Sequence, residues 1–165
     1  MGELDDPQRL AAMERLDVLD AKPDAGFDRY TALAAEMLDA PIALVSLVDS
    51  RRQFFLSNHS QEPLAGYDET PLSHSFCQHA VRANAPLVIT DAREDPLVSG
   101  NPAIEDFGIV AYAGAPIMTP DEQALGTLCV MDRKPRDWTP EQVAMLADLA
   151  GAVASEIKLR AEMRR

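Results

Sequence analysis

The chain has 165 residues, a length that suits one domain with a substantial core. It carries 27 acidic and 15 basic residues, a formal net charge of -12, which argues against nucleic acid or an anionic membrane as a direct partner because both attract positive patches. No apolar run approaches the length that spans a bilayer, and residues 1–6 lack the features of a secretory signal, so we expect a cytoplasmic protein without membrane insertion.

Two amphipathic helices are predicted before the first strand. Asp6 and Pro7 are typical of a helix start, with a carboxylate at the N-cap and proline at the first helical position. We assign residues 1–22 to this N-terminal helical segment. A second helix is indicated by apolar residues at helical spacing, and it ends before Pro41. Its apolar positions are Phe27, Tyr30, Leu33, Ala34, Met37 and Leu38.

Three short strands are predicted in the middle of the chain. Residues 42–48 are rich in β-branched side chains, and residues 53–56 and 87–89 form shorter apolar runs. Residues 57–70 are polar and predict an irregular connection. A further helix begins after Ser73 or Ser75, either of which can cap it, and ends near residue 84.

Residues 91–102 predict a long loop, a kind of segment that is often functional. Its carboxylates Asp91, Glu94 and Asp95 could serve acid–base chemistry or a hard cation, but the spacing of an EF-hand is missing. We favour a structural role, in which aspartates cap backbone turns and Arg93 pairs with one of them.

Two apolar runs, residues 112–117 and 125–132, flank the turn at 120–123 and predict a β-hairpin. At the centre of the first run stands Gly114, with an alanine on each side. Small residues at this place have two explanations: a helix packs closely on the strand, or a ligand approaches its backbone.

The last helix is predicted over residues 139–165. Thr139 and Gln142 are spaced as a capping box around Pro140, which suits the first helical position. Its apolar face is too broad for one sheet to cover, so we expect the terminal helices to form a homodimer. The helix becomes basic at its end, which complements the helix dipole. These basic residues are Lys158, Arg160, Arg164 and Arg165.

Several segments in this order resemble the GAF domain, a small-molecule sensory module of signalling proteins. The resemblance extends from about Arg9 to Leu159. It is carried by the hairpin and by residues 27–30, 41–49, 52–55, 74–80 and 91–96.

The resemblance implies one α+β, GAF/PAS-like domain over residues 1–165. Its central antiparallel sheet has five to six strands, with the N- and C-terminal helices on one face and the middle helix and the long loop on the other. It also implies a sensory or regulatory role in signal transduction. The C-terminal helix would link the domain to an output domain such as a histidine kinase, a cyclase or a phosphatase.

Two cysteines, Cys77 and Cys129, do not make a disulfide framework, and we expect both to remain reduced and unpaired. His74, Cys77 and His79 are close in sequence, but residues five apart on a helix point in different directions, and a zinc site usually has four ligands. A capped helix with a buried thiol is the favoured interpretation, and no metal site is assigned.

Cys77 also supports an enzymatic alternative, because a thiol near a helix N-terminus and a histidine can be a nucleophile. The free methionine sulfoxide reductases are a GAF branch that works through cysteines. Their catalytic cysteine precedes the final hairpin, where residues 95–107 of this chain have none. The same absence argues against covalent attachment of a bilin.

A ligand pocket is predicted on one face of the sheet. Ser46 and Thr127 are the hydroxyls inside apolar strands, and such groups orient ligands in otherwise apolar cavities. The aromatic residues Phe54, Phe76 and Tyr112 are candidate walls. Room for a ligand is expected at Gly114. Alternatively, the hydroxyls bond to the backbone and the cavity is closed.

The sequence therefore predicts a sensory module without turnover, which binds a small molecule or partner and transmits the change through its terminal helices. The two alternatives are a cysteine-based redox enzyme and a ligand-free dimerisation module. No cofactor follows from the sequence.

Overall fold

The computed structural model describes residues 3–22 and 24–163, and these build one six-stranded antiparallel sheet in the order β3-β2-β1-β6-β5-β4. Arg164 and Arg165, which were predicted to end the basic helix, lie outside the described residues. The strands β1 to β6 are Ile42–Val48, Arg52–His59, Glu69–Pro71, Leu87–Ile89, Ala111–Met118 and Ala124–Asp132. The helices α1 to α5 are Pro7–Leu16, Ala25–Met37, Cys77–Ala83, Ala103–Phe107 and Pro140–Met163.

The sheet separates two apolar layers, as predicted. Helices α1, α2 and α5 cover one face, called here the bundle face, and α3, α4 and the segment 91–102 cover the other, called the loop face. Side chains alternate along β1, so Val45 and Leu47 enter the bundle-face core while Leu44 enters the loop-face core.

The predicted starts of α1 and α5 are confirmed, whereas the N-cap of α3 is Phe76, which caps no amide with its side chain. The Asp6 carboxylate accepts a hydrogen bond of 2.9 Å from the Gln8 amide at the start of α1. At the start of α5, the Gln142 amide donates to Thr139 over 3.1 Å, and the Thr139 amide donates to the Gln142 side chain over 2.9 Å. This reciprocal pair is a capping box, which satisfies amides that the first helical turn leaves free.

Two boundaries differ from the sequence-based predictions. Strand β2 continues to His59, and β3 forms within the predicted irregular connection. The end of β2 was missed because polar side chains occupy it, yet Ser57 is buried and hydrogen-bonded to Asp28 and Thr31 of α2. Polar residues can therefore lie in a strand where a helix supplies their partners.

The bundle face explains the alanines of β5. Ala113 and Ala115 are buried beneath α5, which packs on this strand. Of the two explanations for small residues here, close helix packing holds for the alanines.

A buried cation joins α1 to the sheet. The guanidinium of Arg9 donates to the carbonyl oxygen of Leu4 at 2.7 Å, of Val48 at 2.5 Å and of Ala124 at 3.2 Å. Only 4% of Arg9 is exposed, and burial lowers its pKa while Asp49 counteracts this effect. Arg9 thus donates to carbonyls at the adjoining ends of β1 and β6, and these buried carbonyls would lack that donor without it.

The segment before α5 is fixed by an aromatic side chain. The indole of Trp138 donates to the carbonyl of Ile89 at 3.2 Å, and the Arg136 guanidinium lies 4.4 Å from the centre of its ring. Arg136 also pairs with Asp132 at 2.8 Å. These contacts tie the edge strand β4, the end of β6 and the start of α5 together.

Candidate functional site

The loop-face core contains a cluster of polar atoms around the sulfur of Cys77, the first residue of α3. The Thr127 hydroxyl of β6 donates to this sulfur at 3.0 Å, and the Tyr112 hydroxyl of β5 donates to it at 3.3 Å. The sulfur of Cys129 lies 3.9 Å away. All four side chains are buried, so the cluster sits within an apolar layer rather than at its surface.

A chain of buried side chains continues this cluster across the sheet. Ser46 of β1 is the cross-strand partner of Thr127 of β6. Its hydroxyl donates to Gln53 at 3.0 Å, and the Gln53 amide donates to Thr70 of β3 at 2.8 Å. Polar side chains therefore lie side by side on four neighbouring strands, β6, β1, β2 and β3.

The environment of the cluster shifts the acidity of its members. Burial alone raises the pKa of the Cys77 thiol, but hydrogen bonds from Cys129, Thr127 and Tyr112 outweigh it and lower the pKa to about 7. Burial raises the pKa of Tyr112 well above its usual value. Burial also raises the pKa of Cys129, and its hydrogen bond to Cys77 adds to that rise. Cys77 is thus the thiol of this pair that favours the thiolate.

A small cavity adjoins Cys77 beneath α4. Its volume of about 20 Å³ gives room for one water molecule. Apolar side chains form most of its wall, and polar groups enter it on one side. The polar lining is Gln53, Thr70, His74 and Cys77; the apolar lining is Leu44, Phe55, Leu64, Phe76, Ala103, Phe107, Ile109 and Met131.

Helix α4 forms the roof of this cavity and is held by few polar contacts. The His74 ring nitrogen Nε2 lies 2.7 Å from the Asp106 carboxylate, whose side chain is 58% exposed. The ring of Phe107 packs against His74 at 5.7 Å and against Tyr67 at 5.1 Å between ring centres. Gly108 ends α4 with a φ of +70°, a conformation that favours glycine.

The structure brings most of the predicted ligand-binding residues together. Ser46, Phe76, Tyr112 and Thr127 all lie on the loop face, and the rings of Phe76 and Tyr112 pack edge to face at 5.6 Å. The two strand hydroxyls share this face. Whether these residues bind a ligand stays a prediction.

Two placements within that prediction are wrong. Phe54 belongs to the bundle-face core, and its neighbour Phe55 faces the cavity instead. Gly114 leaves no room, because a Cβ atom added there would lie 2.3 Å from the Tyr112 hydroxyl. The side chain of Tyr112 fills the space above the glycine.

Sequence reasoning missed Gln53, Thr70 and the contact between the two thiols. Strand alternation could have revealed Gln53, since a polar residue two positions before Phe55 shares its face. Cys77 and Cys129 are 52 positions apart in different elements, and no local sequence pattern predicts their contact.

The histidines do not join Cys77 in a metal site. His74 turns toward Asp106, and His79 is half-buried beside Arg82, where burial is the main cause that lowers its pKa. Within residues 3–22 and 24–163, no three metal-ligating side chains of the types His, Cys, Asp or Glu converge.

The long loop is fixed as predicted. The Asp91 carboxylate accepts a hydrogen bond from the Arg93 backbone at 3.1 Å and pairs with its guanidinium at 2.8 Å. The Asp95 carboxylate accepts from the Leu97 amide at 2.9 Å. These side chains therefore hold backbone turns.

Comparisons with known proteins agree with this architecture. The chain is similar to the cyclic di-GMP phosphodiesterase PA2567 of Pseudomonas aeruginosa, at 36% identity over 157 residues. The match covers 93% of this chain and 26% of that protein, so the chain spans about a quarter of its relative. In the part of the chain that the structure describes, no helix is long and apolar enough to cross a membrane.

Two solved structures share the fold. The blue-light absorbing form of the Thermosynechococcus elongatus PixJ GAF domain superposes with a TM-score of 0.68 at 17% identity, covering 93% of this chain and 90% of that one. The type II free methionine-R-sulfoxide reductase of Thermoplasma acidophilum gives 0.66 at 13% identity, over 81% and 90% of the two chains. Such identities show the fold alone. The GAF domain family matches residues 22–157, and the chain belongs to that family.

Proposed function

We propose that this GAF domain is a sensory module that binds a small molecule beneath α4 on the loop face. The observation that carries the proposal is the cavity, where Gln53, Thr70 and His74 interrupt an apolar wall. A few polar groups in an apolar pocket are typical of small-molecule sites. The cavity holds about 20 Å³, whereas such sites occupy roughly 300–1,000 Å³. Binding therefore requires α4 to move outward.

The roof is suited to such a movement. Helix α4 has five residues, and its polar tie to the body of the domain is the half-exposed contact between His74 and Asp106. A side-chain contact of this exposure contributes little stability, on the order of 0–1 kcal/mol. A ligand can therefore displace the roof without disturbing the sheet.

Strand β5 gives a route from this site to the terminal helices. Tyr112 points into the loop-face core, while the neighbouring Ala113 packs beneath α5. A ligand that shifts Tyr112 moves the strand on which α5 rests. Ligand binding then favours a different position of α5 from the one that the free domain prefers. Such a shift in equilibrium is what transmits a signal.

The output of the signal belongs to the same proposal. The similar Pseudomonas protein is a phosphodiesterase, and this chain matches about a quarter of its length. We propose that the domain regulates a catalytic output domain of this kind, a kinase or a cyclase. Homodimerisation through the terminal helices stays a prediction, which Leu159 and Met163 support by being 51% and 75% exposed on α5. Light scattering at high protein concentration checks it.

A thermal-shift measurement tests ligand binding. Cyclic di-GMP, cyclic GMP and biliverdin serve as probes, and a binding probe should raise the melting temperature. In Ala103→Leu, a larger side chain occupies the space beneath α4, so the rise should disappear. Ala144→Leu places the same side chain on the exposed face of α5 and serves as the matched control.

Hydrogen exchange locates the binding on the unmodified chain. A bound probe should slow exchange of the amides in residues 72–78 and 101–108. Protection confined to α1 and α5 would contradict the proposed site. If none of the probes changes the melting temperature while the protein is dimeric, the ligand-free dimerisation module becomes the better interpretation. Turnover of free methionine sulfoxide in a thiol assay would instead favour the redox enzyme.

A further inference from the structure

The contact between Cys77 and Cys129 is not used by the proposed ligand site. The two sulfurs lie 3.9 Å apart, and the exposed fractions of the two residues are 1% and 0%. Cys77 begins α3 and Cys129 lies in the centre of β6, so the pair joins a short helix to a central strand.

The surroundings of Cys77 differ from those of an ordinary buried cysteine. Two hydroxyls, from Thr127 and Tyr112, lie within hydrogen-bonding distance of its sulfur, at 3.0 and 3.3 Å, and 3.3 Å from each other. A buried hydroxyl could satisfy itself on a backbone carbonyl, which is a stronger acceptor than a thiol. Donors that converge on one sulfur stabilise negative charge there, and the thiolate is the reactive form of cysteine.

A small cavity adjoins Cys77. Cys77 lines the cavity beneath α4, whose volume of about 20 Å³ fits one water molecule. Hydrogen peroxide is only slightly larger than water, whereas an organic hydroperoxide carries a bulky substituent. We therefore expect hydrogen peroxide to reach Cys77 more readily than an organic hydroperoxide does.

We propose that Cys77 and Cys129 form a dithiol site that hydrogen peroxide oxidises to a disulfide, with Cys77 as the attacking thiolate and Cys129 as the resolving thiol. The Cys77 sulfur attacks one peroxide oxygen, the O–O bond breaks, and sulfenic acid and hydroxide form. The Cys129 sulfur then attacks the sulfenic sulfur, and its proton leaves with the hydroxyl group as water. Overall, two thiols and one peroxide give one disulfide and two waters.

Closing the bond would change the loop face. The sulfurs must approach from 3.9 Å to about 2.05 Å, a shift of roughly 2 Å. Because β6 is a central strand, we expect the start of α3 to supply most of the movement. The turn that carries His74 precedes α3 directly, so oxidation would reach the contact that holds α4. This inference does not depend on a ligand beneath α4.

Mass spectrometry of the native protein tests the proposal. After treatment with hydrogen peroxide and alkylation of remaining thiols, the wild-type chain should have lost two hydrogens and should take up no alkylating reagent. Cumene hydroperoxide under the same conditions should react far more slowly. Circular dichroism recorded during the treatment shows that the domain stays folded.

Single variants assign the two roles. In Cys129→Ser, dimedone should trap a sulfenic acid on Cys77, whereas in Cys77→Ser the remaining Cys129 should stay unmodified. Thr127→Val removes one donor to the sulfur and should slow oxidation about tenfold. Thr90→Val, an exposed threonine, is the control and should leave the rate unchanged.

Three results would overturn the proposal. The first is a wild-type chain that keeps both thiols in peroxide while folded. The second is equal oxidation by the small and the bulky peroxide. The third is faster modification of Cys129 than of Cys77 in the single variants.

Discussion

The two faces of the sheet are built by different means. On the bundle face, three helices cover a core of apolar side chains, and alanines on β5 let α5 approach closely. On the loop face, short helices and a loop cover a core that also buries hydroxyls, thiols and an amide. Across the described residues, every buried side-chain polar atom has a partner. The loop-face core therefore gains specificity from the hydrogen bonds around Cys77. The bundle face gains most of its stability from buried apolar area, with buried hydrogen bonds at Arg9 and Ser57.

The largest expected effect comes from removing the buried cation Arg9, which joins α1 to the sheet. Arg9→Met keeps the length of the side chain but leaves the carbonyls of Leu4, Val48 and Ala124 without their donor. Because unsatisfied buried acceptors are costly, the free energy of unfolding should fall by about 3 kcal/mol or more. Urea denaturation followed by circular dichroism measures this change. Arg15→Met on the exposed side of α1 should change it by less than about 0.5 kcal/mol. Equal values for the two variants would refute a structural role for Arg9.

A smaller effect tests the close packing beneath α5. Ala113→Leu inserts bulk between β5 and α5 and should lower the free energy of unfolding by about 1–3 kcal/mol through overpacking. Val88 is the cross-strand partner of Ala113 on β4 but is 43% exposed. Val88→Leu is therefore the matched control and should change stability by less than about 0.5 kcal/mol. If Ala113→Leu changes the free energy of unfolding as little as Val88→Leu does, the bundle-face core has unfilled space between Ala113 and α5.

The smallest expected effect tests the hydrogen bond between Thr127 and Cys77 on the loop face. Thr127→Val keeps the shape of the side chain and should cost about 1 kcal/mol. Its clearer signature is the dependence of stability on pH. The pKa of Cys77 is lowered from 9.0 to about 7 in the folded chain, so between these values the unfolded chain binds more protons. Stability should then rise with pH from about 7 to 9 and be lost as pH falls through 7.

Removing the Thr127 hydroxyl should flatten that rise, which urea denaturation at a series of pH values detects. The exposed control Thr90→Val should keep the wild-type slope. A slope that is absent in the wild-type chain would show that Cys77 is an ordinary buried thiol.

Local patterns predicted the framework of this fold well. The N-cap at Asp6, the capping box at Thr139 and the strand at residues 42–48 follow from short-range chemistry, and the structure has them in place. The faces of adjacent apolar residues were harder to assign. Phe54 and Phe55 are both apolar, so their hydrophobicity does not predict which one packs in the bundle-face core and which in the loop-face core.

Long-range contacts set the limit for the site. The filling of the space above Gly114 by Tyr112 depends on a rotamer, and the meeting of Cys77 with Cys129 depends on how α3 crosses β6. Neither contact can be predicted from a short window of neighbouring residues. The strand hydroxyls Ser46 and Thr127 did point to the correct face, because polar atoms inside apolar strands need partners.

The anchoring of Trp138 gives the domain an internal optical reporter. This is the single tryptophan among the 165 residues, so the emission spectrum comes from one place. Its indole is held by Ile89 and stacked on Arg136 at the junction between β4 and α5. A shift of emission wavelength would thus report displacement of α5 relative to the sheet, without a label and without interference from a second fluorophore of the same kind.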